Sequence, residues 1–217
     1  MYYLGVDFGS QQDYTAMALV RRVPRLKEMD SRMFSKDEQP AEYHLLYLRQ
    51  VELGTPYSEI VSLIQRILRD DWIRGDVTTI ADATGVGLPV IQMMRERGIS
   101  PLIPISIHGG VAVNSKQDGY SVPKRDLVVS MQMVVESRRL RVASDIQHKE
   151  QFVKELQSFT MKTSKTGVDT YEALMERNHD DLVLAVSYAL WYAEKTMGSY
   201  IQKLTPTPPE NYDLLKR

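Results

Sequence analysis

Acidic residues occur at three places in the sequence where the chain turns or begins a helix. Asp7 ends a short apolar segment, and Asp82 ends a β-branched segment that leads into the turn at Gly85. Asp180 and Asp181 open an apolar segment with helical spacing. Carboxylates at the ends of neighbouring strands of an open α/β sheet face the crevice where such folds bind ligands, and a helix N-terminus favours nearby negative charge. Each acid taken alone also suits a turn or a helix cap.

The residue types available to such a site favour a hard cation. The sequence contains no cysteine, and its four histidines are scattered: His44, His108, His148 and His179. Carboxylate oxygens without thiolates suit Mg²⁺ or Mn²⁺ rather than Zn²⁺. Two such ions about 3.5–4 Å apart activate water and stabilise the leaving oxygen in phosphodiester hydrolysis. The acidic set is therefore compatible with two-metal chemistry.

The first third of the chain predicts three sequential antiparallel strands. Residues 3–8 and 15–23 are apolar segments separated by a turn-forming stretch, which predicts a β-hairpin. Residues 43–53 continue a strand-like pattern, and Pro56 then opens a helix whose isoleucines recur at helical spacing. This helix would cross to the next strand.

The rest of the chain alternates strands and helices. The predicted elements are a strand at 77–82, a helix at 88–97, a strand at 101–107, a hairpin within 109–119, helices at 124–137 and 146–159, a short strand or turn at 167–171, and a last helix from 180–181 onward. The pattern predicts an α/β fold with a central mixed β-sheet, in which antiparallel hairpin strands are followed by parallel strands and helices flank the sheet.

Length and composition indicate one globular domain. The 217 residues are 43% hydrophobic and 25% charged, and the formal net charge is -1. We expect a domain over 1–198 and an extended, proline-containing tail over 199–217. The N-terminus has no signal-peptide pattern, and the longest apolar stretch, 182–193, is shorter than the ~20 residues that span a bilayer. These features predict a cytoplasmic protein that does not enter a membrane.

Several segments together resemble a known family. They are LGVD at 4–7 with DYTA at 13–16, ADATGVG at 81–87, KRDL at 124–127, and HDDLVLA at 179–185. Their order and spacing resemble the nuclease domain of bacteriophage large terminases, a member of the RNase H-like superfamily, over the chain up to about Ala193.

The resemblance implies an RNase H-like fold and a metal-dependent endonuclease. By this resemblance Asp7, Asp82 and Asp181 are the catalytic acids and, together with Asp180, ligands of two Mg²⁺ or Mn²⁺ ions, with Asp181 favoured over Asp180 as the main ligand. Asp13 corresponds to an additional metal ligand on the hairpin of some members, although a turn also favours aspartate.

The implied substrate is double-stranded DNA, cut from phage genome concatemers during packaging in the host cytoplasm. The implied partners are a packaging ATPase, a small terminase subunit or a portal. His179 could orient a ligand or transfer a proton, or it could bond to backbone at the helix entry. Candidate DNA-binding residues are Lys116, Lys124, Arg125, Arg138, Arg139 and Arg141.

Other functions fit parts of the same pattern. Segments 6–10 and 82–85 could cradle phosphates in an actin-like ATPase or sugar-kinase lobe, although 217 residues are short for the two lobes that such enzymes close around a nucleotide, and Asp180 and Asp181 have no role there. A Holliday-junction resolvase would use similar acids on the same fold and would prefer branched DNA. A non-catalytic binding module with a decayed site is the third alternative.

Overall fold

Eight strands form one sheet in the computed structural model, which describes residues 1–10, 13–25, 39–73, 76–165 and 180–204. The strands are β1 (Tyr2–Asp7), β2 (Thr15–Arg25), β3 (Gln39–Val51), β4 (Val77–Asp82), β5 (Leu102–His108), β6 (Asn114–Lys116), β7 (Gly119–Pro123) and β8 (Leu140–Val142). The helices are α1 (Tyr57–Leu68), α2 (Gly87–Glu96), α3 (Lys124–Glu136), α4 (Lys149–Lys165) and α5 (Asp181–Leu204), with a 3-10 turn at Asp71–Ile73.

The sheet is mixed, as predicted. Its order is β6-β7-β5-β4-β1-β2-β3-β8. The pairs β1–β2 and β2–β3 are antiparallel, whereas β1–β4, β4–β5 and β5–β7 are parallel. The edge strand β8, parallel to β3, was not predicted, because three residues are too few to show an alternating pattern.

Helices cover both faces of the sheet. Side chains alternate along β1, so that Tyr3 joins the core beneath α3, α4 and α5, and Leu4 joins the core beneath α1 and α2. From Asp181 to Trp191 every residue of α5 is buried. A helix that is apolar on all sides must be enclosed by other elements, and α5 is enclosed by the sheet, α3 and α4.

Gly5 allows α5 to lie directly on β1. A Cβ atom at this position would overlap the Ala185 carbonyl oxygen and would stand 3.2 Å from the Ala189 amide nitrogen. Farther along, the Tyr192 ring of α5 packs on Tyr3 with centroids 6.2 Å apart. The helix therefore runs antiparallel to β1, and its N-terminus lies at the carboxyl end of that strand.

The C-terminal prediction is wrong in part. The last helix continues to Leu204, so residues 199–204 are helical and not extended. The helix continues through Gly198, since a single glycine costs only about 1 kcal/mol in a helix. Positions 205–217 and the predicted element at 167–171 lie outside the described residues. No helix among the described residues has the length and apolar character needed to cross a membrane.

Candidate active site

Strand register brings Asp7 and Asp82 side by side. Val6 of β1 pairs with Ala81 of the parallel strand β4, so the next residue of each strand is an aspartate at the same edge of the sheet. Neighbouring strands are about 4.8 Å apart. Both aspartates are 8% exposed, which makes them buried acids at the point where two strands end.

The first turn of α5 adds two further acids. Asp181 precedes Ala185, the residue that contacts Gly5, by one helical turn, and it is 7% exposed. Asp180 immediately precedes the helix, and its carbonyl oxygen accepts the Leu184 amide at 2.9 Å. The close packing of α5 on β1 thus places both carboxylates at the strand ends that carry Asp7.

The electrostatics of Asp7 show that the acids share one region. Burial raises the pKa of Asp7 well above its usual value, and the charges of Asp82, Asp181 and Asp180 raise it further. The Lys124 ammonium group at the start of α3 opposes this rise. A buried acid surrounded by like charges binds either a proton or a cation more strongly than an exposed one.

The loop after β4 holds Asp82 in place. The Thr84 amide donates to Asp82 Oδ1 at 2.8 Å, and the Thr84 hydroxyl accepts the Ile107 amide of β5 at 2.9 Å. Burial raises the pKa of Asp82, while the hydrogen bonds from Thr84 and the charge of Lys124 oppose the rise. Gly87 permits α2 to begin against this loop, because a Cβ atom there would overlap the Asp82 carbonyl oxygen.

Glu155 of α4 is a further acid near the site, and the sequence analysis missed it. Its Oε2 accepts the Val183 amide at 3.4 Å, and Gln151 Nε2 donates to its Oε1 at 3.0 Å. Burial, with the charge of Asp181 as a smaller contribution, raises the pKa of Glu155 to about 7. No local signal distinguishes it from the exposed acids of an amphipathic helix, since only the packing of α4 on α5 brings it there.

Tyr188 of α5 was also missed. It is completely buried, and the negative charges of Asp7, Asp82 and Asp180 add to burial in raising its pKa well above the usual tyrosine value. Within a predicted apolar helix a tyrosine is indistinguishable from core filling. Its position two turns after Asp181 is the signal that could have placed it on the same face.

Two of the predicted basic residues lie at the N-terminus of α3 beside the acids. Lys124 is close enough to lower the pKa values of Asp7 and Asp82. Arg125 donates from Nη2 to the Val111 carbonyl at 2.9 Å and forms an ion pair with Asp126. Lys116 lies on the neighbouring hairpin, where its Nζ is 3.3 Å from the Ser106 hydroxyl.

The other predicted basic residues lie at the far end of α3. This helix has 13 residues, so its ends are about 20 Å apart. Arg139 is 7% exposed and pairs with Glu194 at 2.7 Å, which corrects the expectation of a DNA contact, because its guanidinium group is used inside the fold. Arg141 pairs with Glu42 at 3.0 Å, and Arg138 is exposed.

Asp13, another predicted metal ligand, does not join the cluster. Asp13 is exposed, and its Oδ2 accepts a hydrogen bond from the Ser10 hydroxyl at 2.9 Å. Its charge is not among those that raise the pKa of Asp7. This position is that of a turn aspartate. His179 lies outside the described residues.

The donor set fits a hard divalent cation by its chemistry. Asp7, Asp82, Asp180 and Asp181 supply carboxylate oxygens, the ligands that Mg²⁺ and Mn²⁺ prefer. In the part of the chain that the structure describes, no three acidic or histidine side chains converge closely enough to enclose an ion as they stand. Holding an ion would therefore require these carboxylates to come closer together than they stand.

Comparison with known proteins relates the chain to terminases. The family model described as the terminase RNaseH-like domain matches residues 4–193. Among solved structures, a human cytomegalovirus terminase nuclease domain, soaked with Mn, is similar with a TM-score of 0.44 and 11% sequence identity, covering 86% of this chain and 80% of that chain. No curated protein sequence matches.

Proposed function

This chain belongs to the terminase RNaseH-like domain family, and from that premise we propose that it is a metal-dependent DNA endonuclease that uses Asp7, Asp82 and Asp181. The family match confirms the predicted RNase H-like fold and supports a nuclease of the terminase type. The observation that carries the proposal is the convergence of buried acids from β1, β4 and α5 at one edge of the sheet.

The acidic residues are of the type that two-metal hydrolysis uses. Asp7, Asp82 and Asp181 would hold two Mg²⁺ or Mn²⁺ ions, with Asp180 beside them. Ions bound there would activate a water molecule and stabilise the leaving oxygen of a phosphodiester. The Thr84 amide fixes one oxygen of Asp82, and burial excludes water from the carboxylates, which strengthens their attraction for cations.

The substrate that we propose is double-stranded DNA. Lys124 and Arg125 stand at the end of α3 nearest the acids and would contact phosphates, which carry most of the affinity for DNA and no base identity. We place the reaction in the packaging of concatemeric phage genomes in the host cytoplasm. A packaging ATPase, a small terminase subunit or a portal would direct the nuclease, whose domain we extend from the predicted end at 198 to the end of α5 at Leu204.

Cleavage of supercoiled plasmid by the purified chain tests this function. We expect nicking and linearisation with Mn²⁺ or Mg²⁺, no cleavage with chelator, and loss of cleavage in Asp7→Asn. Asp118→Asn is the matched control, because Asp118 is exposed and pairs only at the surface with Arg95, so it should cleave like wild type.

Two results would contradict the proposal. Full cleavage by Asp7→Asn would remove the central acid from the mechanism. A strong preference for four-way junctions over duplex would favour a resolvase instead. The ATPase alternative predicts steady phosphate release from ATP, which we do not expect from this chain.

A further inference from the structure

Tyr188 places a hydroxyl group beneath the acidic cluster. Seven residues separate it from Asp181, so two helical turns bring it to the same face of α5. Its side chain has no exposed surface. The surroundings of its hydroxyl are therefore protein groups only.

The hydroxyl lacks a regular hydrogen bond in this structure. Among the described residues no donor or acceptor meets it with standard length and angle, although the Asp82 carboxylate lies close enough to interact. A buried hydroxyl without a partner destabilises a folded protein. Such a group calls for an explanation other than packing, since a phenylalanine would fill the same space without this cost.

The hydroxyl of Tyr188 can act as a donor at this place. A tyrosine phenol has an ordinary pKa of about 10, so it carries its proton at neutral pH. A protonated phenol beside carboxylates acts as a hydrogen-bond donor. The Thr84 amide donates to Oδ1 of Asp82, so a bond from Tyr188 would hold the same carboxylate from a second element, α5.

We propose that Tyr188 is a positioning residue for metal binding, whose hydroxyl donates a hydrogen bond to Asp82 and orients that carboxylate toward a divalent cation. This inference rests on the proposed function, because it needs a metal at the acidic cluster. When a side chain that hydrogen-bonds to a metal ligand and orients it is removed, the metal affinity typically falls about 10–100-fold.

The variant Tyr188→Phe removes the hydroxyl and keeps the ring. We expect it to melt no lower than wild type with chelator present, because it loses only an unsatisfied polar group. Its dissociation constant for Mn²⁺, measured by calorimetry on the full chain without DNA, should rise about tenfold or more. Its kcat for plasmid cleavage should fall while KM for DNA stays the same.

Tyr192→Phe is the matched control. Tyr192 lies one turn further along α5, and its ring packs on Tyr3 and Tyr120 with centroids 6.2 Å away in each case. It should bind Mn²⁺ like wild type. In the Asp82→Asn background, adding Tyr188→Phe should produce no further loss of Mn²⁺ affinity, since the hydroxyl acts through Asp82.

A spectroscopic measurement follows the hydroxyl directly. In protein labelled with ¹³C at the tyrosine ζ carbon, the Tyr188 signal is the one missing from Tyr188→Phe. Addition of Mg²⁺ should shift this signal in wild type and leave it in place in Asp82→Asn. A purely structural tyrosine would not respond to Mg²⁺.

The outcomes separate the two proposals. If wild type binds Mn²⁺ and cleaves DNA, and Tyr188→Phe binds and cleaves equally well, the positioning role is wrong and the nuclease proposal stands. If wild type binds neither Mn²⁺ nor Mg²⁺, both are wrong. The positioning role would also be wrong if adding Tyr188→Phe to Asp82→Asn lowered the affinity for Mn²⁺ further.

Discussion

Lys124 differs from the other basic residues because its charge acts on the acidic cluster. It lowers the pKa values of Asp7 and Asp82, whereas Arg139 and Arg141 are paired with glutamates about 20 Å away at the other end of α3. Position relative to the acids, and not charge alone, therefore decides which basic side chains lie beside the acidic cluster.

Replacing Lys124 by Gln should weaken DNA binding and leave metal binding intact. We expect KM for plasmid DNA to rise, and the slope of log affinity against log salt to fall by about 1, the loss of one phosphate contact. The affinity for Mn²⁺ should stay the same or increase, since a positive charge near the ions is removed. Titrations at several salt concentrations measure both quantities.

Arg138→Gln provides the comparison for Lys124. It removes one positive charge, as Lys124→Gln does, so the net charge changes equally in both variants. The charge is lost, however, at the distant end of α3. Arg138→Gln should keep the wild-type KM and salt slope. Equal effects of the two substitutions would show that only overall charge matters and would contradict the placement of DNA near Lys124.

Among the elements, the contact between α5 and β1 has the greatest consequence for the site. Ala185 and Ala189 lie against Gly5, and the same register carries Asp181 to the strand end at Asp7. Small residues are required on both sides because backbone atoms face each other. The geometry of the acids therefore depends on the closeness of this packing.

Gly5→Ala should force α5 away from the sheet. The added methyl group would overlap the Ala185 carbonyl oxygen, and a backbone atom cannot rotate aside as a side chain can. Overpacking of a core typically costs about 1–3 kcal/mol. We expect a lower melting temperature and a smaller rise in that temperature on addition of Mn²⁺, because Asp181 moves relative to Asp7.

Gly54→Ala is the control for Gly5→Ala, because it strains the backbone without displacing α5. Gly54 has φ of 79° and open space around its missing Cβ atom, so alanine there costs about 1–2 kcal/mol through conformation alone. This variant should melt lower and keep the full Mn²⁺ response. If Gly5→Ala also kept the full response, the contact would not set the geometry of the site.

For the whole molecule, the accumulation of buried acids should couple stability to pH. Burial raises the pKa values of Asp7 and Asp82, and it raises that of Glu155 to about 7. The folded chain therefore binds these protons more tightly than the unfolded chain, whose acids titrate near pH 4. Stability is then greatest when the acids are protonated, and it declines as pH rises toward and through the raised values.

Without metal, the protein should melt at a lower temperature at pH 8 than at pH 5.5. A Mn²⁺ concentration 100 times the dissociation constant at pH 8 should add about 2.7 kcal/mol at that pH, and the same concentration should add less at pH 5.5, where protons compete. Melting curves at both pH values, with chelator and with Mn²⁺, measure these effects.

Asp82→Asn should melt no lower than wild type without metal and should lose most of the Mn²⁺ response. A large metal-independent loss in this variant would show that Asp82 supports the fold itself.

Local patterns were sufficient for most of the fold and for the positions of Asp7, Asp82 and Asp181 at the ends of their strands and helix. Asp7 and Asp82 end segments whose alternation or β-branching predicts strands, and Asp181 opens a segment with helical spacing. These signals are local, because strand and helix periodicities depend on neighbouring residues. The ordered motifs also predicted the family, which the match over residues 4–193 confirms.

The tertiary structure alone decided how more distant residues meet the site. Glu155 belongs to an amphipathic helix and Tyr188 to an apolar one, and the same local patterns occur when such residues only face solvent or fill a core. Arg139 has the sequence context of an exposed basic cluster, yet it is buried. Its Nη1 lies 2.7 Å from Oε1 of Glu194, a residue 55 positions away in the sequence. Burial, ion pairing and pKa shifts arise from contacts between distant segments, and those contacts exist only after α4 and α5 have packed on the sheet.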